Sequence, residues 1–91
     1  MALTRGEFRT YEQDRSVVLF SMMNAQAEVA CAVSTSAMDD IEKARGIKAD
    51  RREDQFMRLR DRIEERANRK FENMEFEGTP PGIILRSIDF R

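Results

Sequence analysis

The stretch that decides the fold is residues 50–75, DRREDQFMRLRDRIEERANRKFENME. Its apolar side chains recur every three or four positions, which is the spacing of one face of an α-helix. That stripe consists of Phe56, Leu59, Ile63, Ala67, Phe71 and Met74. Neither glycine nor proline interrupts the run, and Asp50 with Glu53 has the spacing of an N-terminal capping box. The stretch therefore predicts one long amphipathic helix that is capped by Asp50 and ends near Glu75.

The other faces of this helix are charged, and acidic residues lie among the basic ones. Oppositely charged residues four positions apart stabilise a helix by about 0.2–0.5 kcal/mol per pair. Such pairs are Asp54 with Arg58, Arg60 with Glu64, and Glu65 with Arg69. This pattern is typical of a solvated helix surface held by salt bridges.

The basic residues of the same helix also suggest nucleic-acid binding as an alternative. A phosphate-binding surface needs basic residues that nearby acids do not neutralise. The candidates lean to adjoining helical rows and are Arg58, Arg62, Arg66, Arg69 and Lys70. The interleaved acids favour the solvated surface over this alternative.

Strands are predicted on both sides of the helical region. Residues 16–23 are rich in β-branched and aromatic side chains, and residues 27–34 alternate with Val29, Cys31 and Val33 on one face. The short connection between them predicts a hairpin. Residues 83–90 predict a third strand, and residues 8–11 are a candidate for a further short edge strand.

A shorter helix is predicted between the hairpin and the long helix. Ser36 is a suitable N-cap, Asp39 lies in the first turn, and Gly46 is placed to end the helix. The adjacent Asp39 and Asp40 have two interpretations, which are a divalent-ion site and the usual enrichment of acids at a helix N-terminus. The second interpretation is favoured.

These elements predict one α+β domain that spans residues 1–91, with residues 1–7 loosely ordered. The expected order is β-β-α-α-β, a small antiparallel sheet with two helices on one face. Ninety-one residues suit a single domain. A hydrophobic fraction of 41% and a net charge of −1 exclude an intrinsically disordered chain.

The sheet carries apolar residues on both predicted faces, which is more than one layer of helices can cover. Ile84, Ile88 and Phe90 are expected to face the helices. The opposite, uncovered face is the candidate interface, formed by Val18, Phe20, Met22, Ile83 and Leu85. A homodimer through this face, or through the edge of the short sheet, would account for the surplus of apolar residues. The alternative, equally open, is that the N-terminal segment with Phe8 and Tyr11 folds over it.

The residue inventory argues against an enzyme. The sequence has no histidine and one cysteine, which excludes a Ser-His-Asp site, a Cys-His site and a zinc site of ordinary composition. Cys31 is interpreted as a structural residue rather than a nucleophile, because it falls on the apolar face of a strand. No catalytic, cofactor-binding or metal-binding residue is assigned. The single cysteine and the lack of a signal peptide or membrane-spanning stretch predict a cytosolic protein without a membrane partner.

The order of certain residues along the chain resembles a known family. They are Tyr11, Asp14, Arg15, Val17 and Phe20; Val29, Cys31, Val33, Ser34, Ala37 and Met38; and Phe56, Arg60, Ile63, Glu64, Ala67, Asp89 and Phe90. The pattern is similar to that of the small bacterial proteins of domain-of-unknown-function family 1488, over nearly the whole chain. The resemblance implies a bacterial origin and a compact β-β-α-α-β fold. That family has no established activity, so the resemblance supplies no functional residues.

The functional hypothesis from the sequence is a non-enzymatic interaction or regulatory module that self-associates, most simply as a homodimer. The alternative is nucleic-acid binding through the arginine-rich residues 51–70.

Overall fold

The computed structural model describes residues 3–79 and 81–91 and contains a four-stranded sheet with two α-helices. The strands are β1 (Thr4–Glu12), β2 (Val17–Asn24), β3 (Ala27–Ser34) and β4 (Ile83–Leu85), and the helices are α1 (Thr35–Glu42) and α2 (Arg52–Glu72). Short 3₁₀ turns cover Ala49–Arg51 and Ser87–Phe90. The α+β class predicted from the sequence is confirmed, with one additional strand at the start, so that the order is β-β-β-α-α-β.

The sheet is mixed rather than purely antiparallel. Its strands lie in the order β1-β2-β3-β4, with the first two contacts antiparallel and the contact between β3 and β4 parallel. The chain leaves β3, passes through both helices and returns to the same edge. A crossover of this kind brings the next strand back in the same direction, which a hairpin cannot do.

The N-terminal strand is longer and better held than the sequence suggested. Residues 4–7, expected to be loosely ordered, form the first half of β1, and Leu3 is buried with its backbone N–H 2.6 Å from Asn68 Oδ1. The same prediction covered residues 1 and 2, which lie outside the described residues. The register between β1 and β2 shifts on both sides of Phe8. Only residues 8–11 of β1 were predicted as a strand, because the first half of β1 is rich in charged side chains.

Helix α1 begins and ends earlier than predicted. Its N-cap is Ser34 and not Ser36, since Ser34 Oγ accepts a hydrogen bond of 3.0 Å from the backbone N–H of Ala37. The helix stops at Lys43, which adopts a left-handed conformation with φ 53°. Starting at the last residue of β3 directs Ala37 and Met38 into the core, where both are fully buried.

Helix α2 is confirmed as the main element that covers the sheet. It follows the 3₁₀ turn that contains Asp50 and ends at Glu72, three residues before the predicted end. The predicted cap at Asp50 is wrong, because the N-cap position is Arg51, which forms no side-chain capping hydrogen bond. The stripe residues Phe56 and Ile63 are fully buried, whereas Met74 lies beyond the helix in a left-handed conformation and is 76% exposed. Neither this helix nor any other within residues 3–79 and 81–91 has the length and apolar character needed to cross a bilayer.

The helices cover the sheet face opposite to the one that we expected. Val18, Phe20, Met22, Ile83 and Leu85, predicted to be uncovered, are between 0% and 3% exposed and form the core with the helices. The ring centroid of Phe20 lies 5.0 Å from that of Phe56 on α2. The face assignment was therefore wrong, although the grouping of these residues on one face is correct. Strand alternation determines which residues share a face, but it does not determine which face the helices cover.

The other elements of that expectation change accordingly. Ile84, predicted to face the helices, lies on the opposite face of β4, and Ile88 is 71% exposed on the C-terminal 3₁₀ turn. Phe8 and Tyr11 do not fold over the uncovered face. They lie in β1 and pack against the core from the helix side, beside Phe20 and Val18 in register.

Candidate functional site

The sheet face turned away from the helices is the first candidate site, and in the part of the chain that the structure describes no element covers it. We call it the open sheet face, formed by Val17, Leu19, Ala30, Ala32 and Ile84. Leu19, Ala32 and Ile84 are aligned across three neighbouring strands. Because alanine side chains are short, the middle of the face forms a shallow depression between the longer side chains of Leu19 and Ile84. The face is thus an apolar strip across the sheet.

One end of the open sheet face forms a depression of about 620 Å³. Its apolar lining comes from Val17, Ala32, Ile84 and Ile88. The rim is basic and includes Arg15, Arg86 and Arg91. The exposed Ile88 extends the apolar strip beyond the sheet, onto the C-terminal 3₁₀ turn.

Two of the rim arginines are held in place by neighbouring carboxylates. Arg15 Nε lies 2.6 Å from Glu12 Oε1, and Arg86 donates two hydrogen bonds to Glu77, of 2.9 and 3.0 Å. The hydrogen bonds from Arg86 hold the pKa of Glu77 below its ordinary value. These ion pairs fix the basic side chains beside the apolar strip.

The opposite end of the open sheet face has acidic residues. Glu28 lies there beside Met23, and Glu7 lines the same shallow pocket. Arg9 contacts both carboxylates. With these partners counted, the basic end has three arginines and the glutamates Glu12 and Glu77, whereas the acidic end has two glutamates and one arginine, so the two ends keep opposite net charges.

Neither edge of the sheet offers a long free strand to a partner. At one edge, β1 has two register irregularities and carries Arg5, Glu7 and Arg9. At the other edge, β4 is three residues long. Bulges, charges and short length are the features that prevent edge-to-edge pairing. Both edges of the sheet are therefore protected against pairing with a strand of another chain.

The charges of α2 serve largely to attach the helix to the rest of the fold. Arg60 Nε lies 2.8 Å from Glu64, and its Nη2 donates a hydrogen bond of 2.6 Å to the carbonyl oxygen of Gly6. Arg5 on β1 reaches back to Glu64 at 2.8 Å and to Asp61 at 2.6 Å. These contacts join α2 to β1 across the covered face of the sheet.

A second polar cluster joins α2 to α1. Arg52 contacts both carboxylate oxygens of Asp39, at 2.7 and 3.4 Å, and the fully buried Gln55 donates to Asp39 at 2.9 Å. Arg58 pairs with Glu42 at 2.9 Å rather than with the predicted Asp54. The carboxylate of Asp39 is thus occupied by protein donors, which supports its structural interpretation over a divalent-ion site.

This cluster lowers the pKa of two carboxyl groups. For Glu42 the main cause is the hydrogen bond from Arg58. For Asp39, partial burial acts to raise the pKa, but the hydrogen bonds from Arg52 and Gln55 outweigh it and leave the pKa below its ordinary value. Both groups therefore favour the folded state in their charged form.

The five residues proposed for nucleic-acid contact fall in different environments. Lys70 is only 6% exposed; its Nζ donates 2.9 Å to the carbonyl oxygen of Ile84 and lies 3.2 Å from Asp89. Arg58 is engaged by Glu42. Only the remaining three, Arg62, Arg66 and Arg69, line one groove.

This groove is the second candidate site, and we call it the arginine groove. It has a volume of about 440 Å³ and lies between α2 and the C-terminal segment. Its basic residues are Arg62, Arg66, Arg69 and Arg91. The sequence analysis missed Arg91, because no pattern along the chain connects a residue after β4 with the middle of α2.

Cys31 has no exposed thiol to offer as a nucleophile. It is 4% exposed in the core, and burial raises the pKa of its thiol to about 12. A thiol with that pKa is protonated at neutral pH, and the thiolate is the reactive form. Its position supports the structural interpretation.

Comparisons with known proteins agree with the resemblance found in the sequence. A family model described as "Protein of unknown function (DUF1488)" matches residues 5–84. A crystal structure of a protein of unknown function from the DUF1488 family of Shewanella loihica PV-4 is similar, with a TM-score of 0.74 and 16% identity, over 91% of this chain and 94% of that chain. At this identity the likeness shows the shared fold alone. No curated protein matches the chain. The family match spans most of the chain, and the protein belongs to the DUF1488 family, whose function is unknown.

Proposed function

We propose that the protein is a non-enzymatic interaction module that self-associates as a homodimer through the open sheet face. The observation that carries this proposal is the aligned apolar row of Leu19, Ala32 and Ile84 on the sheet face opposite to the core, in which Leu19 and Ile84 are partly exposed and Ala32 is 8% exposed. Antiparallel strands that face water on one side ordinarily carry polar side chains there. An apolar strip in that position is typical of an interface.

The shape of the face suits a second copy of the same chain. Two sheets pack face to face at a distance of about 10 Å when their side chains interdigitate. The low centre at Ala30 and Ala32 can receive Leu19 and Ile84 of a second copy. In a two-fold arrangement whose axis lies between the sheets and perpendicular to the strands, the same patch contacts itself in reverse and residues from opposite ends of the face meet.

The charges at the two ends of the face favour the same arrangement. A two-fold axis through the centre of the strip would bring the end with Arg15 and Arg86 against the end with Glu7 and Glu28. Opposite charges would then meet at both ends of the interface. This complementarity contributes more to orientation and specificity than to affinity.

The non-enzymatic part of the proposal rests on the available side chains. The sequence contains no histidine, and its only cysteine is buried in the core. The carboxylates of the two polar clusters are engaged by arginines that attach α2 to β1 and to α1. The proposal also places the protein in the cytosol of a bacterium, which the single reduced cysteine supports.

Light scattering after gel filtration tests the proposal. We expect a mass twice the chain mass of 10.6 kDa for the unmodified protein and the chain mass itself for Leu19→Lys. The matched control is Met57→Lys, which adds the same charge at an exposed apolar residue of α2 and should remain dimeric. A monomeric unmodified protein, or equal loss of the dimer in both variants, would contradict the proposal.

Nucleic-acid binding remains the second candidate function, with fewer residues than the sequence suggested. The observation that favours it is the position of Arg62, Arg66 and Arg69 along one groove. Binding of an oligonucleotide should then weaken steeply as salt is added. Absence of binding at low salt would reject it.

A further inference from the structure

We propose that the arginine groove is a binding site for a phosphoryl group carried by a multiply charged anion. The inference does not rest on the proposed self-association, although Ile88 and Arg91 border both surfaces. It deepens the nucleic-acid alternative, because it names the chemical group that the groove recognises and leaves its carrier to experiment.

The spacing of the arginines on α2 places them along one side of the groove. Arg62, Arg66 and Arg69 are separated by four and three positions, so their side chains leave the helix in the same direction. Arg91, with Ile88 and Phe90, forms the wall on the C-terminal side. Guanidinium groups thus approach the groove from two separate segments of the chain.

Two of these arginines are not neutralised by a neighbouring acid. Among residues 3–79 and 81–91, no side-chain carboxylate lies within 4.0 Å of the guanidinium nitrogens of Arg62 or Arg91. This distinguishes them from Arg58 and Arg60, whose carboxylate partners lie at 2.9 and 2.8 Å. Their donors are available to an anion.

The two carboxylates that line the groove are paired with the other two arginines, Arg66 and Arg69. Asp89 is held by the buried Lys70 at 3.2 Å and by Arg66 at 3.6 Å, while Arg66 Nε also donates 2.7 Å to the carbonyl oxygen of Asp89. Glu65 forms an exposed contact with Arg69 at 3.5 Å. Four arginines face two carboxylates, so the groove keeps an excess of positive side-chain charge.

A second groove continues this basic surface around the C-terminal turn. It has a volume of about 550 Å³ and shares Arg62, Phe90 and Arg91 with the arginine groove. Lys43 and the acidic Asp40, both from the C-terminal end of α1, also line this second groove. Arg62 and Arg91 therefore stand at the junction of two connected grooves, where a ligand with several phosphates can extend in both directions.

The chemistry of the groove favours phosphate over other anions. The guanidinium group presents a planar fork of donors that matches two oxygens of a phosphate, and several arginines can share one phosphoryl group. The apolar side chains of Ile88 and Phe90 border the same space and suit the organic part of a phosphorylated ligand. A nucleotide chain and a small polyphosphate both present this phosphoryl chemistry.

Calorimetric titration with sodium tripolyphosphate, and anisotropy with a short labelled oligothymidylate, test the inference at low ionic strength. We expect at least one probe to bind, and the double variant Arg62→Gln/Arg69→Gln to weaken that binding by about tenfold or more. The matched control is Lys48→Gln/Arg51→Gln, which removes the same charge about three helical turns away and should bind as the unmodified protein does.

The two probes identify the carrier of the phosphoryl group. Tripolyphosphate binding without oligonucleotide binding assigns a small phosphorylated ligand, and oligonucleotide binding that depends on Arg62 and Arg69 assigns a nucleic acid. Absence of binding by both probes, or equal weakening in the control variant, would overturn the inference. Light scattering on the double variant should still show the mass of the unmodified protein, which separates this result from the test of self-association.

Discussion

The two faces of the sheet differ sharply at neighbouring residues of β2. Phe20 is 2% exposed beneath α2, whereas Leu19 lies half-buried on the open sheet face. The covered face carries the large apolar side chains, whereas the open face carries alanines, Ser21, Glu28 and a few larger aliphatic residues. This difference teaches that the open face is not an ordinary polar surface. It is an apolar strip of modest size, and it is the surface through which we propose that the protein self-associates.

The largest expected effect is on the covered face. Phe20→Ala should lower the free energy of unfolding by about 3–5 kcal/mol, because the cavity would lie against Phe56 in the centre of the core. Urea unfolding of the dilute protein measures this loss. Phe20→Leu, the control, keeps more of the volume and should cost less. A loss below about 1 kcal/mol for Phe20→Ala would show that the covered face is not the core.

A second effect concerns the contact that attaches β4 to the sheet. A Cβ atom on Gly82 would lie 2.5 Å from the carbonyl oxygen of Ala30, which is closer than real contacts allow. Gly82→Ala should therefore destabilise the fold by about 1–3 kcal/mol in the same unfolding measurement. Gly46→Asn is the control, since Gly46 has open space around it and asparagine tolerates its φ of 69°. Equal stability of both variants would contradict the tight approach of β4.

Acid should weaken the attachment of the helices that cover the sheet. The pKa values of Glu42 and Asp39 are lowered in the folded state from ordinary values of 4.5 and 3.8. The unfolded chain therefore binds more protons, and this stabilisation is present above those values and lost as the pH falls below them. Thermal unfolding between pH 6 and 2 should show the loss, and Glu42→Gln should flatten it.

The control for this pH series is Glu72→Gln. Glu72 is exposed at the end of α2 and forms no ion pair with another described residue. Its removal should leave the pH dependence of the unmodified protein in place. A Glu42→Gln protein with the same acid sensitivity as Glu72→Gln would show that the contact between Arg58 and Glu42 contributes nothing.

The smallest expected effect is on the open sheet face of the isolated chain. Leu19→Ala should cost less than about 1 kcal/mol in dilute solution, because one side of Leu19 already faces water. At higher protein concentration the loss of stability caused by Leu19→Ala should grow, because association then stabilises the unmodified protein but not the variant. Met57→Ala, at an exposed residue of α2, should show no such concentration dependence. A Leu19→Ala cost that is independent of concentration would argue against a role in association.

Local sequence patterns predicted the elements of the fold well. The apolar stripe of residues 50–75 was enough to predict α2, because the periodicity of a helix can be read from one continuous stretch of sequence. The alternation at Val29, Cys31 and Val33 likewise located β3 and its inward face. The cap of α1 was misplaced by two residues, because Ser34 and Ser36 are equally suitable caps and tertiary packing chooses between them.

The candidate sites depend on contacts between distant segments, and the sequence predicted less of them. Which face of the sheet the helices cover depends on the whole sheet. The polar residues Ser21 and Glu28 lie on the same face as Leu19, and they could have indicated that this face is turned away from the helices. Arg58 could pair with Asp54 on its own helix or with Glu42 on α1, and the choice depends on how α1 packs against α2. The position of Arg91 beside Arg62 likewise follows from the path of the chain after β4.

Isotope-filtered nuclear Overhauser spectroscopy tests the central claim most directly. The sample mixes ¹³C-labelled and unlabelled chains, so that only contacts between two copies are observed. We predict intermolecular contacts from the methyl groups of Val17, Leu19 and Ile84. Intermolecular contacts confined to α2, or none at concentrations at which light scattering shows a dimer, would contradict association through the open sheet face.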